Sequence, residues 1–437
     1  MIPIRSISHP IVIGLRLIGI WPKSSYEIIV RFMWVIIMMC AQIFQYQYII
    51  NHIGFDNLAD LIDSVSTTLP YSLLCFKLIS FWTKREIFEN ILIGMYHDWT
   101  NAFATDFIVE DMIKKTELAY YCSNLILSIY AIAVFLYVGV FLELSHDHDQ
   151  ENRSNLSPEL LIKMDLPFTY DESPIYEYVF IVQFIQLFFI ASSIAVLDAL
   201  IITLIFHIGG QIEILHKTLK NISINDEKPE SSRIIIKSLI DRHYRIIIGS
   251  EYIESLFSYI ALMQLICNTL IICCIGFLIV VALNSNLKLL IRISFFYIAI
   301  TLEAFIFSIA GEYLSNKSLS VSISAYESPW YLLSPKNRGV MILLMVRSQR
   351  RLTITAGKFM DLSMQGFANS KLIADTAYEF LWYNMNPNES RLLIPIILRA
   401  QRGFTFTFGK FATLSMESFT AIMKASGSYM SVLLAMT

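Results

Sequence analysis

The stretch YVFIVQFIQLFFIASSIAVLDALIITLIFHIGGQIEIL, from Tyr178 to Leu215, decides how the rest of the chain is read. Its run from Tyr178 to Leu197 carries no charge, and the apolar character continues past the single acid Asp198 to His207. About 20 mostly apolar residues suffice to cross roughly 30 Å of hydrocarbon. The segment 177–207 exceeds that need, so it predicts a helix that spans a membrane and projects beyond it.

Working outward, five more runs have this character: 28–50, 58–82, 118–142, 256–283 and 289–311. The second is the weakest, because Ser64, Ser66, Thr67, Thr68, Pro70 and Lys77 interrupt it. The apolar opening at 11–20 is too short to span. It is followed by Trp21-Pro22 rather than a small-residue cleavage site, so no signal peptide is expected. Composition agrees. Of 437 residues 55% are hydrophobic and only 16% charged, with mean hydropathy +0.57, whereas a soluble domain carries about a quarter charged residues. This excludes a disordered chain, a basic nucleic-acid binder and a disulfide-stapled secreted module. Cys40, Cys75, Cys122, Cys267, Cys273 and Cys274 all lie in apolar runs and read as small buried hydrophobes.

Loop charge fixes the expected threading. With the N-terminus inside, the segments 1–27, 83–117, 208–255 and 312–351 hold twenty lysines and arginines, against three in 51–57, 143–176 and 284–288. That is a positive-inside signal. The sequons at Asn152 and Asn155 fall in the acidic outside loop and are expected to carry glycans, whereas those at Asn221, Asn316 and Asn388 fall inside. The same loop holds His146-Asp-His148-Asp149, read as solvated because real metal sites need complete ligand sets. Gly209-Gly210 lacks the strand–turn–helix context of a phosphate loop. No nucleophile–base constellation is present, so neither a metal, a cofactor nor an enzymatic activity is expected.

The last third repeats itself at an offset of 52 residues. AYESPWYLLSPKNRGVMILLMVRSQRRLTITAGKFMDLSMQGF from Ala325 pairs with AYEFLWYNMNPNESRLLIPIILRAQRGFTFTFGKFATLSMESF from Ala377. Trp330/Trp382, Pro335/Pro387, Arg347/Arg399 and Gly357/Gly409 are among the identities. Only the second copy continues into an apolar stretch, TAIMKASGSYMSVLLAMT, so the seventh span is placed at 411–436. The apolar core of the first, Gly339 to Val346, is too short to cross. The expected architecture is an all-α integral membrane protein with seven transmembrane helices, N-terminus inside and C-terminus outside. Its parts are a cytoplasmic start (1–27), six spans forming a ligand-binding bundle (28–311), a cytoplasmic segment with the extra tail copy (312–376), the second copy (377–410) and the final span (411–437).

Four motifs in order resemble the insect odorant receptors, in the class of odour-tuned subunits: GIWP at Gly19–Pro22, LDALIITLIFHIGGQIEIL at Leu197–Leu215 with Asp198, His207 and Gln211, GEYLSNKSLSVSISAYESPWY after the sixth span, and GKFATLSMESFTAIMKASGSYMSVL from Gly409. The resemblance covers essentially the whole chain. It departs in the repeat, since the family carries one copy of this tail. It implies an odour-gated, non-selective cation channel rather than a G-protein-coupled receptor, in a heterotetramer with a coreceptor, in the plasma membrane of a sensory dendrite. It also implies cytoplasmic helical extensions that form a shared anchor and a pore lined by the last span. Aligning Ser428-Tyr429 on the family tail puts Val432 and Met436 at the gate, four apart and so on one helix face, with Lys424 lower in the pore segment. An apolar constriction gates by dewetting.

Odorants are small and mostly apolar, so their site is expected between helices with few polar groups. The aromatics in the outer halves of spans two, three, four and six are Tyr130, Phe135, Tyr137, Tyr178, Phe184, Phe188, Phe295 and Tyr297, and Pro70-Tyr71 marks a kink beside them. A G-protein-coupled receptor needs the opposite threading. A gustatory receptor-type channel carries a TY…QF tail signature that is missing here. A transporter repeats half its fold rather than a short tail, and the coreceptor has a long insertion that 208–255 lacks.

Overall fold

A computed structural model describes residues 6–22, 26–53, 58–102, 106–151, 159–220, 229–283, 287–356 and 360–361. The sequons at Asn152 and Asn155, the second tail copy, and the final span with Lys424, Ser428, Tyr429, Val432 and Met436 lie outside the described residues.

Among the described residues the regular structure is helical apart from two short paired strands. Its helices are α1 (His9–Leu17), α2 (Glu27–Asn51), α3 (Leu58–Thr83), α4 (Arg85–Ala102), α5 (Asp106–Glu151), α6 (Ile175–Lys220), α7 (Pro229–Leu283), α8 (Leu287–Glu327) and α9 (Pro335–Gln349). The two-residue strands β1 (Thr355–Ala356) and β2 (Met360–Asp361) pair antiparallel. Five helices, α2, α5, α6, α7 and α8, are long and apolar enough to cross a membrane.

Of the six expected spans within the described residues, the remaining one, α3, has the length at 26 residues but not the composition. Its polar side chains are turned into protein. Ser64, Ser66 and Thr68 are buried. The hydroxyls of Ser66 and Thr67 donate to the Asp63 carbonyl, and that of Thr68 donates to the Ser64 carbonyl. The helix continues through Pro70 without interruption. Ser66, Thr67 and Thr68 thus bond carbonyls of their own helix one turn back, which lets a helix of low hydropathy sit buried in the bundle.

α6 is the mast of the fold. Every residue from Ser193 to Ile205 is buried, as expected of a helix that is apolar all round. α5 and α8 pack along it, and α7 packs against both α3 and α8. At 46 residues it is about 69 Å long at 1.5 Å per residue, more than twice the hydrocarbon thickness. The projection expected from its sequence is therefore present. α2 is its opposite. It buries Trp34, Met38, Ala41 and Gln45, while Ile28, Ile29, Phe32, Met33, Ile36 and Ile37 are exposed along the other face. Such a continuous apolar exterior suits lipid rather than water.

The GIWP segment works as a helix stop. Gly19 adopts φ +69° just after α1, the left-handed conformation that glycine tolerates at a helix C-terminus. The last carbonyls of α1 find outside donors: Trp34 Nε1 to Leu17 O at 2.8 Å, Trp82 Nε1 to Ile18 O at 3.2 Å and Arg31 Nε to Gly19 O at 2.9 Å. Gly14 lets α1 lie on α6, because a Cβ there would sit 2.4 Å from Val196 Cγ2.

The first tail copy is docked on the bundle. α9 packs on α8 and β1 on α7. Leu333, Met341, Leu344 and Ile354 are buried in the main core, and Leu352 N donates to Ser318 Oγ at 3.0 Å. The cysteines depart from their expected burial. None of the six forms a disulfide, only Cys267 is buried, and Cys40 is exposed on the apolar face of α2, where a small polarisable side chain is tolerated by lipid as well as by a core.

Candidate functional site

Four helices and one loop line a partly open cavity of about 100 Å3. Their contributions follow helical spacing. α3 gives Thr67, Pro70 and Tyr71; α5 gives Tyr130, Ala133, Val134 and Tyr137; α6 gives Leu187, Ile190, Ala191 and Ile194; α8 gives Phe295, Phe296, Ala299, Ile300 and Glu303. Steps of three and four put such residues on one face of each helix. Ile162 enters from the loop before α6.

That loop is a packed plug. Leu160, Leu161, Ile162 and Met164 are buried. The Gln183 amide clamps Ile162 from both sides, donating Nε2 to its carbonyl at 3.0 Å and accepting its N–H at Oε1 at 3.3 Å. Asp165 N donates to Phe44 O at 3.2 Å. Lys163 bonds Asp60 and lies 3.4 Å from Asp63. Burial opposes its charge, yet Asp63 and Asp60 hold its pKa above the ordinary lysine value.

At the other end of the cavity lies an ionic cluster that is almost dry. Lys77 Nζ is 2.7 Å from Glu303 Oε1 and 3.3 Å from Asp198 Oδ1. Tyr130 donates its hydroxyl to Asp198 Oδ2 at 3.0 Å. The ammonium also sits 5.6 Å from the Phe307 ring centre. None of the three charged side chains exceeds 2% exposure. The cluster ties together α3, α5, α6 and α8, the four helices that wall the cavity. The sequence reading saw Lys77 only as an interruption and did not single out Glu303. The signal was there: two ionisable groups inside apolar spans are functional candidates by default.

The aromatics expected from sequence divide. Tyr71, Tyr130, Tyr137 and Phe295 line the cavity together. Phe135, Phe184 and Phe188 do not. They form their own cluster, with Phe135 6.0 Å from each of the other two rings, and Phe135 is 57% exposed. Tyr178 is 67% exposed near the start of α6. Tyr297 packs in a separate apolar cluster between α3, α7 and α8. None of these five side chains lines the cavity.

The other motif residues of α6 hold its far half. His207 lies between Ser6 Oγ, 3.1 Å from Nδ1, and Asp98 Oδ2, 3.2 Å from Nε2. Trp99 Nε1 donates to Ser6 Oγ at 2.6 Å. Gln211 Oε1 accepts from Arg242 Nη1 at 2.8 Å. A second cavity of about 160 Å3, lined in part by Asn90, Asp98, His207, Tyr244 and Arg245, opens beside them. Two further histidines, on α6 and α7, are half-buried. Burial, with Lys317 adding, holds His216 below the usual imidazole value, and burial with Arg347 does the same for His243.

Comparison with known proteins places this architecture. The 7tm Odorant receptor family model matches residues 57–370 and again 368–427, so the repeated tail is met twice. The chain is 28% identical over 201 residues to Odorant receptor 82a of Drosophila melanogaster, covering 46% of this chain and 52% of that one. It is 25% identical over 210 residues to Odorant receptor 10 of Aedes albopictus, covering 47% and 55%. The chain thus spans about half the length of the curated relatives it matches. In fold it is similar to the olfactory receptor OR5 of the insect Machilis hrabei, solved in complex with eugenol. That match has a TM-score of 0.63 at 16% identity and covers 90% of this chain and 96% of the other. With its helical bundle and a family match over most of its length, the chain belongs to the 7tm Odorant receptor family.

Proposed function

We propose that this chain is an odour-tuned subunit of a ligand-gated, non-selective cation channel, assembled with a coreceptor in the plasma membrane of a sensory dendrite, and that the α3–α5–α6–α8 cavity is its odorant site. The cavity carries the reading: its walls are mostly aliphatic and aromatic, as expected of a site for a small apolar ligand. With the N-terminus in the cytosol, as loop charge favours, the plug at 160–164 faces outward and the ionic cluster lies deeper. Val432 and Met436 then form the gate, with Lys424, Ser428 and Tyr429 in the same pore segment, and Asn152 and Asn155 carry glycans. Family membership supports this mechanism, and so does the eugenol bound by the Machilis hrabei receptor.

The test is co-expression with a coreceptor and recording of odour-evoked cation current, for the full chain and for one lacking residues 317–368. Current that needs both subunits and reverses near zero is the expected result. Odour responses that require a G protein and no coreceptor refute the channel mechanism. An active deletion beside a silent full chain assigns the inhibition to the extra tail copy. Glycan mapping at Asn152 against Asn388 tests the threading.

A further inference from the structure

The cavity wall is apolar, but its polar capacity is not fully used. Thr67 donates to the carbonyls of Asp63 and Ser64, at 3.1 and 3.0 Å. Tyr130 is committed to Asp198, and the Tyr137 ring lies 5.3 Å from the Arg292 guanidinium. Two groups remain. Tyr71 lines the cavity at 2% exposure, and its buried hydroxyl has no hydrogen-bond partner among the described residues. Glu303, the one charged side chain among the described residues of the wall, bonds Lys77 through Oε1.

The charge balance of the cluster points the same way. One ammonium, Lys77, faces two carboxylates, Asp198 and Glu303, so full ionisation leaves one negative charge in excess. An uncompensated charge in an apolar interior is unfavourable, and Asp198 is further supplied by Tyr130 while Glu303 is not. A donor offered from the cavity side would therefore go to Glu303. An acceptor-only group placed there would set lone pair against lone pair.

Resting on the cavity as the odorant site, we infer that this receptor is tuned to small amphiphiles with an apolar body and a hydrogen-bond-donating head, a hydroxyl or an amine, received by Glu303 and Tyr71. A hydroxyl head donates to the Glu303 carboxylate and accepts from the Tyr71 phenol. An amine head donates to both. Esters, ketones and ethers of the same size fill the apolar walls but leave Glu303 unanswered.

The discriminating probes are 1-octanol and 1-methoxyheptane, which have the same heavy atoms and differ in the donor, with 1-octylamine as a second donor. Thermal melting of the full chain in lipid nanodiscs reads binding without requiring a current. Octanol and octylamine are expected to act at about tenfold lower concentration than the ether, the effect of one hydrogen bond to a charged acceptor. Tyr71→Phe removes a hydroxyl that bonds nothing among the described residues, so folding is retained, and the octanol preference is expected to fall about threefold or more. Glu303→Gln is expected to abolish the octylamine preference. If that variant does not fold, Tyr71→Phe decides. An ether as potent as the alcohol, a preference unmoved by Tyr71→Phe, or no melting shift with any of the three overturns the inference. Recording with the coreceptor separates the two readings. Equal currents from alcohol and ether sink the tuning and leave the channel, whereas selective binding without current does the reverse.

Discussion

Replacing Lys77 by methionine removes the ammonium from a cluster holding two buried carboxylates. At an effective dielectric near 20, the 2.7 Å contact with Glu303 and the 3.3 Å contact with Asp198 are worth about 6 and 5 kcal/mol of Coulomb attraction. Most of that is offset by desolvating the ammonium, and breaking a buried pair costs about 3–5 kcal/mol on balance. At roughly 2.1 cal/mol/K per residue, the 437 residues give an unfolding entropy of about 0.9 kcal/mol/K. The expected fall in melting temperature is therefore about 3–5 °C, measured on the full chain in detergent by fluorescence-detected size exclusion after heating. The triple change Lys77→Met, Asp198→Asn, Glu303→Gln keeps the shapes without the charges. It should recover most of the loss, because a neutral buried set is often no less stable than an ionic one. A Lys77→Met protein that melts with the parent, or a triple variant no better than the single, refutes the account of the cluster as a charge-balanced tie among four helices.

Filling the cavity with Ala299→Trp should weaken every odour response at least tenfold while surface delivery is unchanged, checked by current alongside surface labelling. Gly14→Val forces a branched side chain into the place where a Cβ already lies 2.4 Å from Val196. Overpacking of this kind costs about 1–3 kcal/mol and should lower the melting temperature. Gly19→Ala must hold φ +69° at a cost of about 1–2 kcal/mol, read in the same assay. His216 and His243 have depressed pKa values, so the unfolded chain takes up protons that the fold resists. Stability is then lost as pH falls below about 6.5. The double change of both to Gln should flatten that decline between pH 6.5 and 5 in melting curves, and an unchanged slope would show that other groups govern it.

The long apolar runs made the spanning helices legible, because lipid demands an unbroken stretch of side chains that need no water. Less legible was how far helices continue outside it. α5, α6 and α7 run 46, 46 and 55 residues, well past their apolar cores. There the polar residues are held by tertiary partners, such as Gln211 on Arg242, that hydropathy does not see. α4 lay hidden for the same reason within a segment read only as an inside loop. The cavity was half legible. Residue type singled out aromatics on the helices that wall the cavity, but not which face turns inward. On α5 the spacing Tyr130, Val134, Tyr137 follows the cavity-lining face, and Phe135 sits one residue off it. The Lys77–Glu303 pair is separated by 226 residues, a distance at which one sequence alone carries no pairing signal.

The unbroken mast has a mechanical corollary. α6 walls the cavity near Ala191 and ends beyond Gln211 at Lys220, a rigid reach of about 44 Å at 1.5 Å per residue. A guest molecule that wedges the upper end sideways by a tilt of about 5° would carry the tip about 4 Å, by the geometry of a stiff rod of that length. Because the first tail copy rests against neighbours of that rod, the arrangement works as a lever. A volatile compound need shift only its short arm for the distant seat to feel a displacement comparable to a whole side chain.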